Sequence, residues 1–244
     1  MTVNEHIWDL IVVGGGINGA GIACDAAGRQ LSVLLCEMAD LASATASARS
    51  QMIPGGLRSL EHSEFGWVRK PLLEREVLLA KAPHIIRPLR FVLPHTHTVR
   101  PAWLIRMGLF FYDHLARHPR LANSHGVNLR GHAAGAPLNS DLRKGFIYSD
   151  CWVDDARLVL FNAMAAADKG ADIRTRTPLV EARRADGLWR APLREKASGV
   201  ESMVRGRAPA NAAGPWVGSL PPPRLAPAPT PGVRPLTRRH TCLP

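Results

Sequence analysis

Residues 9–37 read Asp9-Leu-Ile-Val-Val-Gly14-Gly-Gly16-Ile-Asn-Gly19-Ala-Gly-Ile-Ala-Cys24-Asp-Ala-Ala-Gly28-Arg-Gln-Leu-Ser-Val33-Leu-Leu-Cys36-Glu37. Leu10–Val13 is a short, wholly apolar run, as a parallel strand covered on both faces requires. Gly14, Gly16 and Gly19 follow in the G-x-G-x-x-G spacing. In that spacing the first glycine permits the turn out of the strand and the second lets a backbone approach a pyrophosphate. The third lets the next helix pack closely on the sheet. A helix from about Asn18 to Ala27 would aim its N-terminal N–H groups at the phosphates, where its dipole favours negative charge. Gly28 is the expected stop for that helix, and Val33–Cys36 the second strand. Glu37, at the end of that strand, lies at the distance expected of an acid that bonds an adenosine ribose. Strand, glycines, helix, second strand and terminal acid in this order predict a dinucleotide site on a βαβ unit.

The rest of the 244-residue chain bounds what surrounds that unit. An apolar content of 46% is ordinary for a globular protein and supports one large domain or two small ones. The four cysteines, Cys24, Cys36, Cys151 and Cys242, show no paired spacing, so a disulfide framework is not expected and a reducing, cytoplasmic setting fits. Cys24 and Cys36 read as small buried hydrophobes. The N-terminus lacks the blocks of a signal peptide, and no apolar run reaches the ~18 residues of a spanning helix. The chain therefore reads as soluble or peripheral. Its formal charge of +11 raises the question of nucleic acid. The basic residues are scattered among Pro and Ala with no recognition motif and few aromatics, so no nucleic-acid partner is expected.

After Glu37 comes a run of alanines and hydroxyl residues containing Thr45, Ser47 and Ser50, whose amides and hydroxyls suit phosphate or flavin oxygens. Next is Gln51-Met-Ile-Pro54-Gly55-Gly56-Leu57-Arg58-Ser59, a glycine pair that allows close approach to something flat. Residues 64–82 read as helical, with Leu72, Leu73, Glu76, Val77 and Ala80 as the stripe. Pro71 is expected to split that helix or begin a new one. Arg87–Pro101 alternates as a strand or hairpin. Trp103–Leu115 reads as a helix packing on the sheet, with a membrane-surface amphipathic helix as the competing reading. His95-x-His97 and His114-x-x-x-His118 have metal-pair spacing but lack a third ligand, and read as surface histidines. Asp154 or Asp155 is expected to cap a helix over 156–168 closed by Gly170, with a strand at 172–175. Capping explains the acids at 154 and 155 in the cluster with Asp150 without a metal.

These blocks carry a resemblance. The fingerprint, the run Asp40-Leu-Ala-Ser-Ala-Thr-Ala-Ser47, and Gly55-Gly-Leu-Arg58 resemble the FAD-dependent glycerol-3-phosphate dehydrogenases. So do Glu74–Leu79, Arg100–Leu109, Tyr112–Leu115 and Tyr148–Leu160. Glycine oxidase and other amine oxidases share the fingerprint but not the blocks at 100–109 and 148–160. The fingerprint alone also serves NAD, against which the Ser/Thr loop argues. The resemblance implies an α/β protein with a Rossmann-like FAD-binding domain of the glutathione-reductase-2 or D-amino-acid-oxidase kind and an incomplete α+β substrate or cap region. The domain order it sets is an FAD-binding core over 1–60, a cap and substrate region over 61–150, and a return to the FAD-binding domain over 151–217. A Pro/Arg-rich, disordered tail over 218–244 completes it.

The family oxidises glycerol 3-phosphate to dihydroxyacetone phosphate through FAD and passes electrons to membrane quinone. The resemblance therefore implies these as cofactor and partners, with peripheral contact at the inner face of the membrane. It assigns Gly14, Gly16 and Gly19 to the pyrophosphate and Glu37 to the ribose. Thr45, Ser47 and Ser50 go to flavin or phosphate contacts, and Gly55, Gly56 and Leu57 beside the isoalloxazine. Gly214 falls to the motif Asn211-Ala-Ala-Gly-Pro-Trp216 that closes the flavin site, and Arg58 to the substrate. No residue is assigned as the base. Ser59 replaces the family's Tyr and Pro54 its His.

From Arg190 onward the sequence is expected to leave the fold. Arg205-Gly-Arg-Ala-Pro-Ala210 stands where an apolar strand should precede the motif, and Pro209 would break a central ladder. The expectation is a truncated chain with an aberrant tail, as a reading-frame change late in a longer gene would produce. A catalytically dead flavin-binding fragment and a flavin-free basic module are the alternatives.

Overall fold

The computed structural model describes residues 2–44, 47, 51–53, 65–96, 100–115 and 120–219. Thr45, Ser50, Pro54, Gly55, Gly56, Leu57, Arg58 and Ser59 lie outside the described residues, as do His97, His118 and Cys242. The chain divides into two units: residues 1–50 with 155–244, and residues 51–154.

The first unit is built on a six-stranded sheet. Its strands are β1 (Thr2–Val13), β2 (Val33–Cys36), β7 (Asp172–Arg174), β8 (Arg183–Ala185), β9 (Leu188–Arg194) and β10 (Glu201–Asn211), in the order β7-β2-β1-β10-β9-β8. β7, β2, β1 and β10 run parallel, while β9 and β8 are antiparallel. Alternation along β1 sends Ile11 and Val13 to one face with Leu34, Leu193 and Val204. Val12 goes to the other face with Val33 and Leu35, against α1 (Ile17–Gly28) and α4 (Asp155–Ala167). Both faces of β1 and β2 are thus apolar, which is why the run lacks the polar alternation of a half-exposed strand. Ala20, Ala23, Ala26 and Ala27 make the inner face of α1, small enough for a close approach to the sheet.

Two expectations about this unit are corrected. Gly28 is the last residue of α1, not its left-handed stop; that conformation falls to Gln30, at φ 66°. The larger correction concerns the chain past Arg190. It does not leave the fold: β10 pairs with β1 along its length and forms the centre of the sheet. Pro209 sits opposite Ile11 without breaking the ladder. Ala212 donates its N–H to Val13 O at 2.8 Å, so parallel alternation turns the even-numbered amides 208 and 210 toward β1 and the nitrogen of Pro209 away. On that other side β9 has already ended, its last partner in β10 being Gly206. Proline costs a central ladder nothing where its neighbour is absent. Gly206 is equally placed, since a Cβ there would meet Ile11 Cγ1 at 2.8 Å. Gly170 closes α4 at φ 90°, and β7 follows as the reading of 172–175 anticipates.

The second unit packs α2 (Phe65–Lys81) and α3 (Ala102–His114) with the strands β3 (Met52–Ile53), β4 (Ile86–His95), β5 (His125–Asn128) and β6 (Lys144–Val153). β6 is the hub, antiparallel to β4 over ten residue pairs and to β3 and β5 on its other edge. Pro71 lies inside α2, which continues unsplit. The buried positions Val68, Leu72, Arg75, Glu76 and Leu79 hold the helix on both sides of it. Packing therefore outweighs the single backbone bond that proline removes. The stripe differs from the expected one, because Leu73, Val77 and Ala80 face out.

At the centre of this unit Arg75 Nη1 donates to Asp150 Oδ1 at 2.7 Å and to Tyr112 Oη at 2.7 Å. Burial, then the charge of Asp150, push the Tyr112 phenol well above its ordinary value, so it stays protonated. Asp150 is thus half of a buried ion pair joining α2, α3 and β6. α3 buries Leu109 and Tyr112, as the packing reading requires, but leaves a second apolar face exposed.

Candidate dinucleotide site

β1 ends at Val13, and Gly14 turns the chain at φ 113°, a conformation that side chains resist. A Cβ on Gly14 would also overlap the carbonyl of Ala212, just past β10. A Cβ on Gly19 would overlap the Gly14 carbonyl, so this glycine sets how closely α1 enters behind the turn. Gly16 differs from both. It is the N-cap of α1 at φ −84°, and a Cβ there would meet nothing within 4 Å. Its bareness serves no neighbour in the protein; it leaves the space in front of the helix open. No side chain caps α1 and no acid lies in its first turn, so the leading N–H groups and the positive end of the dipole face that space.

The space is a cavity of about 210 Å³ at the C-terminal ends of β1, β2 and β10. Gly14–Asn18 form its floor, Glu37 and Met38 one wall, and Ala212–Trp216 another, with Gly214 at φ 56°. Glu37 reaches in from the end of β2. Its Oε2 accepts from Gly15 N at 2.5 Å and its Oε1 from Ala39 N at 2.7 Å, which pins the carboxylate at the cavity and leaves lone pairs on both oxygens. Cys36 also lines the cavity, and burial pushes its thiol up to about 12, which makes it a neutral wall rather than a nucleophile.

Gly14, Gly16, Glu37 and Gly214 are therefore brought together, with Gly19 buried directly behind them. Ser47 is not on the cavity wall; its hydroxyl donates to the carbonyl of Ala42. The loop meets the cavity instead through Ala42, Ser43 and Ala44, held by the Ala42 N–H to Gly15 O bond at 3.1 Å. Three features were missed from sequence. Gly15 ties the glycine turn to Glu37, Pro178 and Leu179 line the rim from the segment after β7, and Asp155 brings the start of α4 to it. Gly15, the middle glycine of the Gly14–Gly16 triplet, was a signal for the first. Nothing in the spacing announces Pro178.

The residues present fit a dinucleotide. The cradle before Gly16 is open, the α1 amides are uncapped, and a fixed carboxylate stands a strand away. Asn211, at the end of β10 next to the Ala212–Trp216 wall, has its Nδ2 buried without a partner, while its Oδ1 accepts from Ala213 N at 3.1 Å.

A parallel βαβ core with this cradle at its strand ends defines a dinucleotide-binding domain. Its class is given by the family it matches: residues 9–243 fit the family described as FAD dependent oxidoreductase, DAO, and the chain belongs to that family. The match continues past Arg190, from which the sequence is expected to leave the fold, through β10 and the Gly214 motif.

A glycerol-3-phosphate dehydrogenase of Pseudomonas tolaasii is 59% identical over 212 residues, which are 87% of this chain and 40% of that protein. A D-erythritol 1-phosphate dehydrogenase of Brucella abortus is 55% identical over 86% of this chain and 42% of its own. Among solved structures, a Bacillus halodurans glycerol-3-phosphate dehydrogenase complexed with FAD superposes with a TM-score of 0.66 at 26% identity, covering 88% of this chain and 36% of the other. The chain thus spans about two-fifths of the length of these sequence relatives. FAD is the cofactor of its family.

Proposed function

We propose that this chain carries the flavin-binding part of an FAD-dependent dehydrogenase of a phosphorylated polyol, glycerol 3-phosphate first among them. The observation that carries the reading is the conjunction of an open, uncapped glycine cradle facing Glu37 with 55–59% identity to dehydrogenases of glycerol 3-phosphate and erythritol 1-phosphate.

In this reading the amides of Gly16–Asn18 hold the pyrophosphate and Glu37 takes the ribose hydroxyls. Gly214 and its neighbours close the site, and Asn211 offers its spare amide hydrogen there. Thr45 and Ser50 add hydroxyls for flavin or phosphate contacts, Ser47 being committed to the Ala42 carbonyl, and Gly55, Gly56 and Leu57 lie beside the flavin ring. Bound flavin supplies a two-electron acceptor for the hydride on the substrate's carbinol carbon. Arg58 contributes a guanidinium to the phosphate dianion, for which arginine is suited by its two parallel donors. Electrons pass on to a quinone, which sets the chain's work beside a membrane.

A second reading is a flavoprotein fragment without turnover. It is favoured by Ser59 and Pro54, which stand where the family's Tyr and His would give the substrate site an aromatic wall and a polar group. One experiment separates the readings: the visible spectrum of the purified chain, then glycerol 3-phosphate with an artificial electron acceptor. A flavin spectrum with substrate-dependent acceptor reduction is the expected result of the first reading. Flavin without reduction establishes the second, and a colourless chain after refolding with FAD removes both.

A further inference from the structure

Cys24 departs from its expected place as a buried hydrophobe. It is half-buried on α1, whereas Cys36 and Cys151 are fully buried, and burial pushes those two thiols up to about 12 and about 11. Lys169 Nζ stands 3.9 Å from Cys24 Sγ and donates toward it, from a residue 145 positions further along the chain. The turn that carries Lys169 is fixed by its backbone. The Lys169 N–H bonds Ala166 O at 3.1 Å and the Gly170 N–H bonds Ala167 O at 2.9 Å, so the lysine side chain starts from a set point at the end of α4.

The surroundings hold the pair together and leave it accessible. Gly28 lies one turn beyond Cys24 on the same face of α1, and a Cβ on it would sit 3.4 Å from Lys169 Nζ. The bare glycine therefore gives the lysine its course across the helix to the sulfur. Asp25 is near enough to feel the charge of Lys169, yet its carboxylate is taken by Arg29 at 2.8 Å. Among the described residues no carboxylate forms an ion pair with Lys169. A cavity of about 410 Å³ opens over the two groups, and on its wall a Cβ at Gly21 would meet nothing within 4 Å, so a small oxidant reaches the sulfur from solvent.

We propose that Cys24 and Lys169 form an oxidative crosslinking site, at which hydrogen peroxide joins α1 covalently to the end of α4. Peroxide gives one oxygen to Sγ: the O–O bond breaks, the other oxygen leaves as water, and the thiol becomes a sulfenic acid. Sulfur is oxidised by two electrons and peroxide is reduced by two. Nζ, having released one proton to solvent, then attacks the sulfur with its lone pair. The S–N bond forms as the S–O bond breaks, and the hydroxyl leaves as water with a second proton from the amine. The product is a sulfenamide, which added thiol cleaves through a mixed disulfide, restoring Cys24 and Lys169. The site rests on contacts within the first unit and needs neither bound flavin nor turnover.

The test is treatment of the full chain with hydrogen peroxide, then tryptic digestion and mass spectrometry. Arg29 separates Cys24 from Cys36, so the two thiols fall on different peptides. The expected product is the Cys24 peptide joined to the Lys169 peptide, lighter than their sum by the hydrogens lost, uncut after Lys169 and released by dithiothreitol. Lys169→Arg keeps the positive charge without a nucleophilic amine. It should leave the sulfenic acid standing, so that labelling of Cys24 by dimedone rises at least about fivefold over wild type. Cys24→Ser should leave Lys169 uncrosslinked, and both variants should keep the circular dichroism spectrum of wild type. Peroxide-treated wild type should also unfold at least about 4 °C above the reduced chain, because the new bond closes a loop of 145 residues. Cys24 carried on to sulfinic acid with Lys169 free, equal dimedone labelling of wild type and Lys169→Arg, or equal crosslinking in chain unfolded by guanidinium overturns the proposal.

Discussion

Gly14, Gly16 and Gly19 belong to one motif but answer to different constraints, and substitution should separate them. At Gly14 and Gly19 a side chain collides with backbone, so a change there damages fold and site together. At Gly16 nothing lies within 4 Å and the backbone is extended, so Gly16→Val should leave thermal stability within about 0.5 kcal/mol of wild type. The same side chain would fill the cradle in front of α1, and FAD affinity should fall at least about tenfold, measured by flavin fluorescence titration. Unchanged affinity would move the cofactor elsewhere. A second residue-scale expectation concerns thiols. Burial pushes Cys36 to about 12 and Cys151 to about 11, against 9.0 for an exposed thiol. Above pH ~9 the unfolded chain releases these protons while the folded chain keeps them, so the unfolded state binds fewer protons and stability falls as pH rises. Each thiol contributes a slope of about 1.4 kcal/mol per pH unit until its folded value is reached. Urea midpoints between pH 8 and 10.5 should drop less steeply in Cys36→Ala than in wild type; parallel curves would mean that Cys36 is not protected.

At the scale of elements, β10 and the Arg75 cluster show what a sequence displays and what it conceals. The first βαβ unit is legible because its constraints are local: an apolar run, glycines at fixed offsets and an acid at the end of the next strand. β10 is not, because Arg205-Gly-Arg-Ala-Pro-Ala has neither β-branched residues nor alternation, and its place follows from partners about 200 residues away. Its fitness is visible only in register, where Gly206 yields room to Ile11 and Pro209 faces the side that β9 has vacated. Pro209→Ala should accordingly change stability by less than about 0.5 kcal/mol in chemical denaturation, where a proline strained in a ladder would have given a clear gain on removal. The buried ion pair was equally hidden, since Arg75 and Asp150 lie 75 residues apart and each reads as an ordinary surface charge. Tyr112→Phe removes the hydroxyl that bonds Arg75 and Asp150 while keeping the ring against Val68 and Leu72. It should cost about 1–3 kcal/mol, the penalty for stranding buried polar partners. A neutral effect would show that Arg75 and Asp150 satisfy one another without the phenol.

For the whole molecule, the candidate dinucleotide cavity is assembled from two distant stretches of chain. Gly14–Asn18, Glu37 and Met38 come from the first, and Ala212–Trp216 from the second, with the other unit inserted between them at residues 51–154. A ligand that touches both stretches at once favours only the state in which β1 and β10 are paired, so its binding energy becomes folding energy of the unit that holds the cavity. At a free FAD concentration of 100 times its dissociation constant, linkage contributes about 2.7 kcal/mol. For a chain of this size that raises the midpoint of thermal unfolding by about 5–10 °C. The gain should be local: hydrogen exchange should slow at residues 14–19 and 211–214 when FAD is added. The amides of α3, which belongs to the other unit, should keep their rates. Slowing confined to α3, or no shift of the midpoint at saturating FAD, would mean that the cofactor does not bridge the two stretches and that β1–β10 pairing holds the cavity without it.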